Sequence, residues 1–258
     1  MHPAADARPT ALLSALPEEQ AGLRERLERP VRHRHAGREV WSGRLHGLPV
    51  LLALSGIGKV AAAVTAATLA GMGARRIVFA GVAGGLAPGV RVGDLVVATG
   101  FVQHDMDASP LFPRHEVPGY GRSVFPADAE LSATLSRACD AVCARAASLF
   151  DAQDMSRFGL AGARVHRGLL ASGDRFVAAA GEAAALRAAL PGALAVDMES
   201  AAVAQACADH GLPFAAVRTI SDRADDTAHV DFPAFAAAVA GRYAQAVAAD
   251  LCGLLSEE

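Results

Sequence analysis

The chain has 258 residues, of which 52% are hydrophobic and 20% charged, with a formal net charge of -3. That length supports one large α/β domain with a sizeable core, and no Pro/Ser/Gly-rich linker divides it. The near balance of charge argues against a nucleic-acid footprint or an acidic tail and fits a small neutral or zwitterionic ligand. Of the 24 basic residues only Lys59 is a lysine, a bias read at this level as genome composition without functional content.

Residues 1–9 are expected to form a disordered tail ahead of a single domain over 10–258. They lack a basic segment followed by an apolar core and a small-residue cleavage site, so a secretory signal is not expected and a cytoplasmic location is. Thr10 to Ala15 reads as an opening strand that delivers Pro17-Glu-Glu19 to a helix start, where acidic residues suit the helix N-terminus. Arg38 to Leu45 and Leu48 to Leu54 flank His46-Gly47 as a hairpin. Ser55-Gly-Ile-Gly58 then turns into an Ala-rich helix over Val60 to Ala74, too short and too interrupted to span a bilayer. The segment Gly56-Ile-Gly-Lys59 is not a phosphate-binding P-loop, because Ala53 stands where its leading glycine belongs and Val60 where Ser or Thr would hold magnesium.

Arg76 to Ala80 is a short strand ending in Gly81-Val-Ala-Gly-Gly-Leu86. Two readings of that cluster stand side by side: backbone N–H groups of Ala83 and Gly84 approaching an anion or sugar, or a tight strand exit that needs positive φ. Asp94 to Thr99 is a further strand, giving the strand, helix, strand order of parallel units. Phe101 to Phe125 is rich in Pro, Gly, His and aromatics without periodicity, and a loop of that length reads as a lid or binding element. Within it, His104-Asp-Met-Asp107 lacks further ligands at metal-binding distance, so a structural or lid role is preferred and no metal is expected.

A helix over Ala127 to Ala147 is followed by an unassigned stretch, Ser148 to Leu160. The strand Val165 to Ala171 then leads into Ser172-Gly-Asp-Arg-Phe-Val177. Helix 179–190, strand 193–198, helix 200–210, strand 214–220 and a last helix from Phe232 to Leu255 complete the pattern. Cys139, Cys143, Cys207 and Cys252 have no paired C-x-x-C spacing and read as buried thiols. Neither Ser55 nor Ser172 lies in Gly-x-Ser-x-Gly, which disfavours a serine-triad hydrolase.

The most informative stretches are Val196-Asp-Met-Glu199 and Arg218-Thr-Ile-Ser-Asp222. Each is the end of an apolar strand, and the carboxyl edge of an open parallel sheet is where ligands bind. Asp197 and Glu199 share a face if the strand persists to Glu199. They and Ser200 equally suit the N-terminus of the following helix, and the two readings remain open. Two carboxylates aimed into one crevice could divide labour, one ionised against hydroxyls and one donating a proton, as glycosidic bond cleavage requires.

Taken in order, Ala15-Leu-Pro-Glu-Glu19, Ser55-Gly-Ile-Gly-Lys-Val60, Ala83-Gly-Gly-Leu-Ala-Pro88, Val92-Gly-Asp-Leu-Val96, Ser172-Gly-Asp174, Val196-Asp-Met-Glu199 and Ile220-Ser-Asp222 resemble the purine nucleoside phosphorylase superfamily. The resemblance is strongest to its 5′-methylthioadenosine/S-adenosylhomocysteine nucleosidase branch. It implies a single-domain three-layer α/β/α fold with a mixed twisted central sheet, no cofactor, and hydrolysis of an adenine nucleoside.

By the same resemblance Asp222 protonates the base at N7 and Ser221 holds Asp222. Glu199 binds the ribose hydroxyls with Met198 under the sugar. Phe176 stacks on the purine, Val177 offers its backbone, Phe232 closes the base pocket, and Glu19 with Arg218 orients water. A protonated acid near neutral pH requires burial among apolar neighbours.

Related phosphorylases carry Arg-x-Gly-Ser where this chain has Phe79-Ala-Gly-Val82, so both the arginine and serine phosphate anchors are missing and water is expected as the nucleophile. Val82 also departs from the nucleosidases, which usually carry serine there. The implied partners are a small purine nucleoside and a second subunit, as a homodimer with loop 101–125 near the partner's site, and no nucleic acid or membrane. Competing readings are a phosphate-dependent phosphorylase, a futalosine hydrolase, and a nucleoside-binding protein without turnover.

Overall fold

The computed structural model describes residues 8–35, 37–225 and 228–257, with 229–231 described in backbone only. Most of the tail expected over 1–9 lies outside these residues, and so does Glu258. β1 (Thr10–Ser14) is followed by short 3-10 turns at Glu18–Gln20 and Arg24–Arg26 and by the antiparallel strands β2 (Glu28–His35), β3 (Arg38–Leu45) and β4 (Leu48–Leu54). α1 (Lys59–Gly71) leads to β5 (Arg76–Gly85), β6 (Leu95–Gln103) and the three-residue β7 (Val124–Pro126). α2 (Ala129–Ala144), α3 (Ala146–Leu149) and α4 (Ala152–Arg157) precede β8 (Val165–Ser172). The remainder alternates: α5 (Ala180–Ala189), β9 (Ala193–Asp197), α6 (Ser200–Asp209), β10 (Phe214–Asp222), α7 (Ala228–Phe235) and α8 (Gly241–Ser256).

All ten strands form one mixed sheet. β5, β10, β6, β8 and β9 pair in a closed circuit, and β1, β4, β3 and β2 extend from β5 as a flap. β5 makes this possible by length. Its residues 76–79 pair with β1, and only beyond them do Gly84 and Gly85 meet β9. The period-2 alternation of strand side chains divides the core. Leu12, Val78 and Val82 face the layer of α2 and α8, whereas Leu13, Ile77, Phe79 and Ala83 face the layer of α1 and α6. The sheet is thus the middle of three layers, and the architecture expected from the resemblance is the one observed.

Several expected elements differ in extent. β2 is absent from the sequence reading because Glu28-Arg-Pro-Val-Arg-His-Arg-His35 is exposed along nearly its whole length and so shows no apolar alternation. It is a sheet edge, where charge discourages further pairing. β5 and β6 continue to Gly85 and Gln103, through stretches read as turn and loop, because partner strands capture their backbone. The strand expected over 193–198 ends at Asp197, which places Glu199 at the N-terminal boundary of α6. The last helix begins earlier than expected, at Ala228, and passes through a π-turn at Ala236–Ala240 between α7 and α8.

Among the described residues no helix is long and apolar enough to cross a membrane, and no group of three or more His, Cys, Asp and Glu is arranged to hold a metal ion. The four cysteines are free, three of them buried.

Candidate active site

The chemistry-bearing segments converge because they follow the ends of β1, β5, β8, β9 and β10, the sheet edge at which α/β proteins bind ligands. Together they enclose a cavity of about 440 Å³. Glu19, Glu199 and Asp222 all line it, as do Ala83, Gly84, Phe176, Val177, Met198, Ser221 and Phe232. Arg218 does not. It lies fully buried behind the wall, with its guanidinium 4.0 Å above the Phe79 ring. Loop 101–125 contributes nothing to this chain's own cavity. Its residues His104, Asp105 and Arg114 line a separate hollow against α5.

Glu19 sits on the 3-10 turn after β1 and is 2% exposed. Its Oε2 accepts from the backbone N–H of Ala15 (2.8 Å) and Leu16 (3.0 Å), and its Oε1 from that of Val82 (2.9 Å). Burial pushes its carboxyl above the ordinary value, against the pull of the Arg218 guanidinium and these three donors. Gly81 is indispensable to the arrangement: a Cβ there would overlap Arg218 Nη1 and stand 2.8 Å from Glu19 Oε1.

The ambiguity between helix capping and function at Asp197 and Glu199 resolves by division. Asp197 takes the structural part. Its Oδ1 accepts from the N–H of Glu199 and Ser200 (3.2 Å each) and from Ser172 Oγ, and its Oδ2 accepts from Ser200 Oγ and from Arg218 Nε (2.7 Å). Glu199 makes no cap and turns into the cavity, where Oε1 accepts from Gly58 N–H at 3.0 Å and Oε2 lies 3.6 Å from Arg218 Nη2. Burial pushes its carboxyl up to about 7, with Arg218 opposing the rise and Asp197 adding to it. Ser172, weighed as a nucleophile in the sequence, instead donates to Asp197 and accepts from Ala201 N–H.

Asp222 ends β10. Ser221 Oγ donates to its Oδ2 at 2.7 Å and Ala224 N–H to its Oδ1 at 2.8 Å, which orients the carboxyl toward the cavity. The same cavity is lined by Phe176 and Phe232, ring centroids 5.7 Å apart in an edge-to-face arrangement, with Phe176 45% exposed. Aromatic rings and a carboxyl in one cavity suit an aromatic heterocycle, with a ring face for stacking and a polar group for orientation.

Sequence reasoning missed Gly58, whose contribution is a backbone N–H and leaves no side-chain signal. It also missed Asp197 as a hub, because a carboxylate two residues from another reads as its partner.

The family model described as the phosphorylase superfamily matches residues 9–252. The 5′-methylthioadenosine/S-adenosylhomocysteine nucleosidase of Neisseria meningitidis, solved with methylthio-immucillin-A, is 33% identical with a TM-score of 0.83, the match covering 95% of this chain and 99% of that one. The corresponding nucleosidase of Colwellia psychrerythraea, in complex with adenine, is 29% identical over 96% of both chains, with a TM-score of 0.83. A futalosine hydrolase of Helicobacter pylori is 26% identical over 98% of this chain and 99% of its own, with a TM-score of 0.81.

Proposed function

The chain belongs to the phosphorylase superfamily, and from that premise we propose that it hydrolyses the N-glycosidic bond of 5′-methylthioadenosine, of S-adenosylhomocysteine or of both, releasing adenine. It is an enzyme of the N-ribosyl hydrolase class. The observation that carries the substrate reading is the convergence of Glu19, Glu199 and Asp222 on one cavity that the Phe176 and Phe232 pair also lines.

The base lies against Phe176 with its edge at Val177, and Phe232 closes the pocket. Asp222, held by Ser221, passes a proton to N7 as the C1′–N bond breaks, and the bonding electron pair leaves with neutral adenine. The sugar is left with oxocarbenium character, which anionic Glu199 and Glu19 stabilise. Glu199 holds the ribose hydroxyls and Met198 packs beneath the ring. Water adds to C1′, and its proton passes to Glu19. Arg218 acts from behind the wall, through Glu199 and the charge it places near Glu19.

Water is favoured over phosphate by electrostatics. Among the described residues lining the cavity the one basic side chain is Arg175, which is mostly exposed and paired with Glu182 at 3.3 Å. Val82 presents an apolar side chain where an anchor would be needed, and the anionic Glu19 and Glu199 repel a dianion. We further infer a homodimer in which loop 101–125, which lines none of this chain's own cavity, meets the partner's site. Futalosine is a second reading, favoured by the likeness to the H. pylori hydrolase.

The test is a chromatographic screen of purified protein against 5′-methylthioadenosine, S-adenosylhomocysteine, adenosine, inosine and futalosine, each with and without phosphate. Phosphate-independent release of adenine from the first two is expected. Strict phosphate dependence, or hypoxanthine release from futalosine alone, would overturn the assignment.

A further inference from the structure

Two chain segments that wall the cavity are tied together just outside it, through the end of β6 and the residues that follow it. Lys59 Nζ donates to Asp105 Oδ1 at 2.7 Å and to Gln103 Oε1 at 3.1 Å. Asp105 Oδ2 accepts from the backbone N–H of Asp174 at 2.9 Å, and Asp174 Oδ1 accepts from the backbone N–H of Lys59 at 2.7 Å. The ring of contacts joins the turn before α1, the end of β6 and the segment after β8. Each of the two wall-forming segments reaches the cavity within two residues. Gly58 gives its N–H to Glu199, and Asp174 is followed by Arg175, Phe176 and Val177.

We propose that Lys59, Asp105 and Asp174 form a latch that fixes the distance between the ribose wall of the site, Gly58 with Glu199, and its base wall, Phe176 with Val177. They are positioning residues and touch no substrate. The inference rests on the nucleoside reading given above, to which it adds how the two subsites are held in register.

Three features separate this latch from an ordinary surface ion pair, which contributes only about 0–1 kcal/mol. The Lys59 and Asp105 side chains are largely covered, at 16% and 27% exposure. Although burial pushes the Asp105 carboxyl up, the Lys59 ammonium and the Asp174 N–H together hold it below its ordinary value. The α1 N-terminus is also unusual. Its boundary residue, Gly58, has no side chain to cap the first turn, and Asp174 supplies that carboxylate from another segment.

The identity of the cation is the third feature. Of 24 basic residues, 23 are arginine and this one is lysine. A compact ammonium directs separate N–H bonds to Asp105 and Gln103 from one point, whereas a longer planar guanidinium presents a fixed fork. Gln103 extends the tie to α6 through its own N–H bond to Gln205 Oε1 at 2.7 Å.

The test compares a ligand that spans both walls with one that meets a single wall. Binding of formycin A, a C-nucleoside that resists hydrolysis, and of free adenine would be measured by calorimetry for wild type, Lys59→Met, Lys59→Arg, Asp105→Asn and the Lys59→Met/Asp105→Asn double variant. A rise of about tenfold or more in Kd for formycin A is expected in each single variant, with Kd for adenine within twofold of wild type. Lys59→Arg should not rescue, and the double variant should bind within twofold of the weaker single one. Equal weakening of both ligands, unchanged formycin A binding, or additive losses in the double variant would each overturn the latch. Wild-type protein that binds both ligands but releases no adenine from 5′-methylthioadenosine would end the hydrolase reading and leave the latch standing.

Discussion

Arg218 donates its Nε–H to Asp197 Oδ2 over 2.7 Å in a fully closed part of the core, and this pair stands directly behind the catalytic wall. Its partner charge is what allows a buried guanidinium to lie 3.6 Å from Glu199 without collapsing onto it. Although burial works against the cation, Asp197, Glu199 and Glu19 together keep Arg218 charged. Removing one member of such a pair leaves an uncompensated buried charge, which costs about 3–5 kcal/mol. Asp197→Asn should therefore lower urea-unfolding stability by that order and also pull Arg218 toward Glu199. The acid limb of the kcat/KM profile is then expected to shift to lower pH in this variant, and an unchanged limb would show that Asp197 acts on the fold alone.

In the proposed mechanism Asp222 carries the proton to the leaving base. Asp222→Asn keeps the shape and removes the transferable proton, so kcat should fall about 10²–10⁴-fold. Binding of adenine, assigned in the proposal to Phe176, should change far less. Single-turnover measurement of adenine release separates the two, and a kcat within tenfold of wild type would remove Asp222 from the proposed role.

Burial sets the Glu199 carboxyl at about 7, and the proposed chemistry needs it ionised. Free-enzyme activity, read as kcat/KM, should accordingly rise with pH through about 7 and level off above it. Stability runs the other way. The folded state holds the Glu199 proton more tightly than the unfolded chain, whose ordinary value is 4.5, so this group's contribution is fully present below 4.5 and is lost as pH rises to about 7. Glu199→Gln should flatten both dependences and lower kcat/KM by about 10²–10³-fold. Rate profiles and urea unfolding at pH 5 and 8 check the pair of signs.

Gly81 separates Arg218 from Glu19 by having no side chain. Gly81→Ala forces a methyl group into both, with an overpacking cost of about 1–3 kcal/mol. Because the displaced groups are the proposed water-orienting pair, kcat should fall while adenine binding persists. Loss of both in proportion would point to general misfolding, and circular dichroism of the variant would register that directly.

What was legible in the sequence was the set of side chains at strand ends. Apolar strands that break into Glu199 and Asp222 announce themselves because polar groups there interrupt a buried pattern, whereas Phe176 was reached only through the resemblance. Elements defined by main-chain pairing were harder to see. β2 has no buried face to impose alternation, and β5 runs through a glycine cluster that resembles a turn because its partners β10 and β9 supply the constraint. Lys59 belongs to a legible motif, but its pairing with Asp105, 46 positions away, leaves no mark in the sequence. Arg218 was expected in the site and is found behind it, since strand alternation alone does not tell an inward side chain from one that reaches the ligand.

The central claim, that water and not phosphate attacks the ribosyl carbon, is tested most directly by isotope labelling. With 5′-methylthioadenosine turned over in phosphate buffer enriched in oxygen-18 water, mass spectrometry of the product at early times should find one labelled oxygen at C1 of a free sugar, beside unlabelled adenine. A product recovered as the sugar 1-phosphate would contradict the account.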